Sequence, residues 1–191
     1  KIEEKSDEKK EEKQFENNLK IKIERDLTIE KENIQNLINI RTKIMSYLSS
    51  NKCDKAIELL KEKFYSIKEK EETYKKIVFY ILIIKYLTLL KSEENYFKCF
   101  EIIDSLDKEY WEKYKILLYD TNNFNKMSYV SLQTLATLVS QPDIMNSDYG
   151  FYLDDQQTNL IKQQINSGLF EMFDLSPISN LSKIYFQLDY I

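Results

Sequence analysis

The shortage of glycine and proline most limits what this chain can fold into. Its 191 residues include two glycines and two prolines, whereas glycine alone makes up about 7% of average proteins. The first 141 residues contain neither. Because glycine and proline mark most turns, such a chain is predicted to consist of long helices with short polar connections. The sequence therefore predicts an all-α fold.

Apolar residues recur at the helical period in the first half of the chain. In the first helix, one face is expected to point inward; it contains Ile34, Leu37, Ile38, Arg41, Ile44, Met45 and Leu48. After the break SSNKCD, the second is expected to bury Ala56, Leu59, Leu60, Phe64 and Ile67. A third helix is expected over Tyr74–Leu90, and a fourth with inward Tyr96, Phe97, Phe100, Ile103 and Leu106. The short connections predict antiparallel packing.

The second half of the chain predicts four more helices. They are expected at about Lys108–Tyr119, Met127–Ser140, Asp154 or Asp155 to Phe173, and Ile178–Tyr190, with Pro177 at the start of the last. The sequence thus predicts an antiparallel bundle or solenoid-like array of about eight helices. Residues 1–28, which begin KIEEKSDEKKEEK, are predicted to be a disordered or loosely helical charged leader.

Charge and hydropathy patterns argue against nucleic-acid and membrane partners. Lys and Arg number 26 against 25 acids up to Gln141, and two against seven from Pro142 onward. The clustered positive charge that a duplex-binding surface requires is absent. The apolar run Ile77–Leu90 contains Lys85 and is shorter than the roughly 20 residues of a membrane span. It is predicted to be a helix buried among other helices.

Residue types also restrict the possible chemistry. With no histidine and two cysteines, Cys53 and Cys99, the chain lacks the components of Ser-His or Cys-His pairs and of a zinc site. The adjacent acids Asp154 and Asp155 are better explained as the start of a helix than as a catalytic pair. We expect a protein that is not an enzyme, with no catalytic, cofactor or metal site and no small-molecule substrate. The cysteine usage indicates a reducing, intracellular compartment.

A joint interrupts the helices in the stretch NSDYGFYLDDQQ, Asn146–Gln157. Pro142 is expected to end the preceding helix, and Asp154 can cap the next. Gly150, between them, permits a backbone turn that a residue with a Cβ would resist. The sequence predicts a structural role for this joint.

Two segments of the first half contain an ordered series of predicted helices and polar breaks. In NIRTKIMSYLSSNKCDKAIELLKEKF an arginine-bearing helix, a polar break and an A-I-x-L helix follow one another. This order resembles the opening of a CTLH domain. FYILIIKYLTLLKSEENYFKCFEIIDSL resembles the second half of that domain. The resemblance implies a CTLH core at Arg41, Ala56, Ile57, Leu60, Phe64, Ile83 and Ile84.

The last part of the chain contains four elements in order. They read as LQTLATLV, SQPDIMNSDYGFYLDDQQ, QQINSGLFE and a closing leucine helix LSKIYFQL. This series resembles a CRA domain, most closely that of the RanBPM branch. The resemblance implies a CRA joint that includes Pro142, Asn146, Ser147, Gly150, Leu153, Asp154 and Asn166. It also implies a domain division into the leader at 1–28, a CTLH-like part at 29–120 and a CRA-like part at 121–191.

The ordered CTLH–CRA pair implies a scaffold of the GID/CTLH ubiquitin ligase. In that family these helices mediate subunit association, whereas ubiquitin transfer belongs to RING-bearing partners. The partners implied are other LisH-CTLH-CRA subunits and RING-bearing subunits, in the cytoplasm or the nucleus. Two alternatives stay open at the sequence level. One is a tetratricopeptide-like peptide-binding module, although no 34-residue repeat is seen; the other is a lineage-specific helical structural protein.

Overall fold

A computed structural model of the chain describes residues 2–64, 70–92, 96–120, 123–141, 143–147 and 149–173. The chain divides into two compact units, Lys1–Ile40 and Arg41–Ile191. The first unit lies within the first helix, and the second contains every later element. The predicted boundary at residue 120 falls at the end of a strand inside the second unit, and the three-part division by resemblance stays a prediction.

The described part of the chain is mostly helical and includes one small antiparallel sheet, in keeping with the predicted class. Its helices are α1 Ile2–Ser49, α2 Cys53–Phe64, α3 Glu71–Lys91, α4 Tyr96–Glu109, α5 Leu132–Val139 and α6 Asp155–Met172. Its strands are β1 Ile116–Asp120 and β2 Asn123–Val130. Short 3-10 turns at Ile144–Asn146 and Gly150–Leu153 connect α5 to α6.

Helix α3 lies at the centre of the second unit. Its side chains are apolar nearly all round, and Ile77, Phe79, Ile81, Ile83 and Ile84 are fully buried. It packs against α2, α4 and α6. The prediction that the run Ile77–Leu90 is buried among other helices is therefore confirmed. Within the described residues, no helix is long and apolar enough to cross a membrane.

The hairpin of β1 and β2 corrects two predictions. The expected helix Lys108–Tyr119 is wrong, because α4 ends at Glu109 and β1 follows. The expected helix Met127–Ser140 is wrong in its first part, because β2 runs to Val130 and α5 begins at Leu132. The side chains of Ile116, Leu118 and Val130 are buried, while Leu117 and Tyr129 face outward. This two-residue alternation is that of a strand with one buried face.

Helix α4 buries a different face from the predicted one. Cys99, Ile102 and Leu106 point into the core, whereas Phe97 is 83% exposed and Phe100 is 54% exposed. The expected inward positions of Tyr96, Phe97 and Phe100 are therefore wrong. Half of the residues of this helix are apolar, so the helical period alone fits either face.

Helix α1 differs from the prediction at its N-terminal side. The backbone is helical from Ile2, including the segment predicted to be a disordered or loosely helical leader. Ile34 and Ile38, expected to point inward, are each 38% exposed, whereas Ile44 and Leu48 are fully buried. The apolar stripe of α1 thus becomes a core face near its C-terminal end. The helix stops before Asn51, whose φ of 56° is a left-handed conformation that Asn tolerates.

The end of the chain matches the prediction as far as it is described. Helix α6 covers Asp155–Met172, close to the expected range, and buries Ile161, Ile165, Leu169 and Met172. The predicted last helix, Ile178–Tyr190, and Pro177 lie outside the described residues.

Candidate functional site

The joint between α5 and α6 is stabilised by its own polar side chains. The Asp143 carboxylate accepts hydrogen bonds from the backbone N–H of Asn146 at 3.3 Å and from its side-chain amide at 3.0 and 3.2 Å. Ser147 Oγ donates to the Ile144 carbonyl at 2.8 Å and accepts from the Tyr149 N–H at 3.2 Å. Asn146 and Ser147 therefore fix the first 3-10 turn, a structural role.

Gly150 is required because two backbone segments approach closely. A Cβ at this position would lie 2.6 Å from the Met145 carbonyl oxygen and 3.1 Å from that of Ile144. Its backbone does not adopt a positive φ. The expected need for glycine here thus arises from close packing on carbonyl groups. Leu153, three residues on, is 1% exposed and anchors the second turn in the core. Pro142 lies outside the described residues.

The acidic pair at the start of α6 has two separate structural positions. Asp154 occupies the N-cap position, but its side chain makes no capping hydrogen bond. Asp155 accepts a hydrogen bond from Lys91 Nζ at 2.7 Å, which joins α6 to the end of α3. The hydrogen bond from Lys91 holds the pKa of the Asp155 carboxyl below its ordinary value. Because both carboxylates are exposed to solvent, neither has the desolvated environment of a catalytic acid.

Arg41 and Asn166 are 125 positions apart in the sequence and form a side-chain hydrogen bond in the structure. Arg41 Nε donates a hydrogen bond to Asn166 Oδ1 at 2.6 Å, and the guanidinium lies 4.6 Å from the ring centre of Phe170. Asn166 and Phe170 are one helical turn apart on α6, so both can meet one arginine. The contact ties the C-terminal part of α1 to α6. The amide contact and cation–π attraction together orient Arg41 on this face.

The positions implied as a CTLH core are largely interior. Ala56, Leu60, Ile83 and Ile84 are fully buried, Phe64 is 6% exposed, and Ile57 is half-buried. The Phe64 ring lies 4.9 Å from that of Phe173, so the end of α2 meets the end of α6. The contact between the two rings joins the implied CTLH core to the end of α6.

Two glutamines on α6 have roles that the sequence did not suggest. Gln157 is fully buried; its Oε1 accepts from the Tyr119 N–H at 2.9 Å, and its Nε2 donates to the Tyr119 carbonyl at 3.3 Å. Gln164 Nε2 donates to the Leu117 carbonyl at 3.0 Å. The seven-residue separation of the glutamines places them on one helix face. They satisfy the edge of β1, but polar residues at that spacing are common on exposed helices.

A tyrosine on α3 holds α5 in place. The Tyr86 hydroxyl donates a hydrogen bond to the Leu135 carbonyl, and both residues are buried. Burial raises the Tyr86 pKa well above its ordinary value. No pattern in the sequence predicts this contact.

The two cysteines, Cys53 and Cys99, are buried and unpaired with each other. Burial raises the pKa of the Cys53 thiol to about 11, with the nearby Asp54 carboxylate adding to the shift. Burial also raises the Cys99 pKa. A raised pKa disfavours the nucleophilic thiolate. No group of three or more Cys, Asp or Glu side chains in the described segments could hold a metal ion.

Neither the protein-family models, nor the curated proteins, nor the solved structures give a match to this chain.

Proposed function

We propose that the chain is a non-catalytic helical scaffold that mediates subunit association in a GID/CTLH-type ubiquitin ligase complex. The observation that carries the proposal is the contact of Arg41 with Asn166 at 2.6 Å. The resemblance assigns Arg41 to the CTLH core and Asn166 to the CRA joint. Their meeting supports a fold in which the two motifs are packed together, as the family requires.

A second contact supports the same proposal. The CRA resemblance begins at α5, and the family packs this helix onto the CTLH helices. Here the Tyr86 hydroxyl of α3 holds the Leu135 carbonyl of α5, and α5 also packs against α4. The finer arrangement, a CTLH–CRA array of about eight helices, is part of the proposal.

The proposal assigns the chain protein partners and an intracellular site of action. Those partners are other LisH-CTLH-CRA subunits and RING-bearing subunits, in the cytoplasm or nucleus. The chain itself supplies helical surfaces, such as the exposed Phe97 and Phe100 of α4. Exposed aromatic side chains are enriched at protein–protein interfaces.

Affinity capture of the tagged full-length protein from its own cells, followed by mass spectrometry, tests the proposal. We expect RING-bearing and LisH-CTLH-CRA proteins in constant ratio to the bait. Recovery of intact bait with neither class would contradict the proposal.

A matched pair of variants connects the capture to the structure. Arg41→Ala removes the contact with Asn166 and Phe170, and we expect lower recovery of the partners. Lys55→Ala, at an exposed position of α2, should recover them as the unmodified protein does. Circular dichroism of both variants would show whether a loss of recovery reflects a loss of helix instead.

A further inference from the structure

Within the described residues, the backbone groups on the outer edge of β2 have no hydrogen-bond partner. On β1 the C=O of Leu117 accepts a hydrogen bond from Gln164, and the N–H and C=O of Tyr119 bond to Gln157. These backbone groups of β1 therefore point towards α6 and away from β2. Their cross-strand partners are Tyr129 and Met127. In an antiparallel pair, residues that face each other without mutual hydrogen bonds point their backbone groups outward. The N–H and C=O groups of Met127 and Tyr129 therefore point away from β1.

The same two residues present exposed apolar side chains. Met127 is 47% exposed and Tyr129 is 70% exposed, and both lie on the outer face of the hairpin. Among the described elements, β1 is the one that packs extensively against β2. Natural proteins usually protect such an edge with charges, proline or a covering element. Between Lys126 and Val130 the one charged residue is Lys126.

We propose that β2 pairs edge to edge with β2 of a second copy of this chain, forming a four-stranded antiparallel sheet across a two-fold axis at Ser128. About this axis Met127 lies opposite Tyr129 of the second copy. Both residues have outward backbone groups, so each pair exchanges two hydrogen bonds. The exposed Met127 and Tyr129 side chains then become cross-strand neighbours, a packing that stabilises sheets.

Charge and symmetry favour a second copy as the occupant. A two-fold interface uses the same patch on both subunits, so the patch must be self-complementary. In this register, Lys126 of each copy faces Val130 of the other copy, so the two lysines do not face each other. The edge therefore pairs with itself without opposing like charges. This inference does not rest on the proposed ligase function.

The first experiment measures the mass of the full chain by sedimentation equilibrium over increasing protein concentration. We expect the mass to rise from that of one 23.0 kDa chain towards that of two. Met127→Pro should prevent the rise, because it removes an outward N–H without removing a bond to β1. A mass that stays at one chain throughout overturns the proposal, and so does an unmodified dimer in the Met127→Pro variant.

A charge-exchange experiment separates edge pairing from a dimer formed elsewhere. One variant carries Met127→Lys and Tyr129→Lys, and the other carries Met127→Glu and Tyr129→Glu. Each alone is expected to stay a monomer, because like charges face each other. An equal mixture should form dimers of one copy of each, since every lysine then faces a glutamate. Dimers of either variant alone, or a mixture that stays monomeric while the unmodified chain dimerises, would place the contact away from this edge.

Discussion

At the scale of single residues, the two glycines show how closely this chain is packed. Each is required by a close approach of neighbouring atoms. Gly150 faces the carbonyls of Met145 and Ile144, and Gly168 lets α6 approach α3. A Cβ on Gly168 would lie 2.9 Å from Ile77 Cγ1 and 3.3 Å from Ile77 Cδ1. Gly168 lies inside a helix, where glycine alone would be unfavourable, so its presence reflects packing.

Gly168→Ala is predicted to destabilise the protein. Overpacking against Ile77 outweighs the gain in helix propensity, and we expect a net loss of about 1–2 kcal/mol in the free energy of unfolding. Chemical denaturation followed by circular dichroism measures the change.

The neighbouring exposed Ser167 provides the control, because Ser167→Ala adds helix propensity without meeting α3. The double variant Gly168→Ala with Ile77→Ala should lose less stability than the two single losses combined, since the clashing atoms are gone. If Gly168→Ala alone were as stable as the unmodified protein, or more stable, the prediction that a Cβ at this position clashes with Ile77 of α3 would be wrong.

Single residues also show where the sequence was and was not informative. The positions Ala56 and Leu60 were expected inside and are fully buried, because one apolar stripe on a helix leaves one possible core face. Phe97 was expected inside and is exposed, because α4 has apolar residues on two faces. Gln157 was not singled out, because its burial depends on a strand that is distant in sequence.

At the scale of elements, the hairpin depends on α6. A two-stranded hairpin alone is at best marginally stable. Here Ile116 and Leu118 are buried on one face, and Gln157 and Gln164 satisfy the free edge of β1. The sequence predicted helices in this region because its apolar residues fit either period over a short stretch. The contacts with α6 that favour strands arise only in the folded chain.

Gln157→Leu is predicted to destabilise the hairpin. The change keeps a similar volume but leaves the part-buried Tyr119 N–H and C=O without a partner, which costs about 1–3 kcal/mol of folding free energy. Gln163→Leu is the matched control, because Gln163 is exposed on the same helix. Denaturation would give the loss of stability, and hydrogen exchange should be faster at the Tyr119 amide. Equal stability of the two variants would contradict the role of Gln157.

At the scale of the whole molecule, the composition predicted the mostly helical fold class, but it did not predict how the helices pack together. Few glycines and prolines indicated helices, and the structure is mostly helical. The burial of α3 followed from its apolar residues on all sides. Contacts such as Arg41 to Asn166 join residues that are 125 positions apart, and no local pattern determines them. The joint was located by its glycine, but the atoms that require that glycine belong to the preceding turn.

The titration of buried groups predicts how stability depends on pH. The chain has no histidine, so no side chain of ordinary pKa titrates near neutrality. Burial raises the pKa of Cys53 from 9.0 to about 11 and that of Tyr110 from 10.0 to about 12. Burial also raises the pKa values of Tyr86 and Tyr114, and Tyr114 additionally donates a hydrogen bond to Glu72.

We therefore predict that stability is constant from about neutrality to pH 9 and then falls through about pH 12. A raised pKa means that the folded state holds its proton more tightly, so stability is lost as the unfolded chain ionises first. Cys53 alone accounts for a loss of about 2 kcal/mol by pH 11, at 1.36 kcal/mol for each unit of pKa. Urea denaturation at stepped pH measures the decline. In Cys53→Ala the loss of stability between pH 9 and 11 should be smaller, and the remaining loss comes from Cys99, whose pKa burial also raises, and from the tyrosines. A loss as large as that of the unmodified protein would mean that Cys53 is not buried as a thiol.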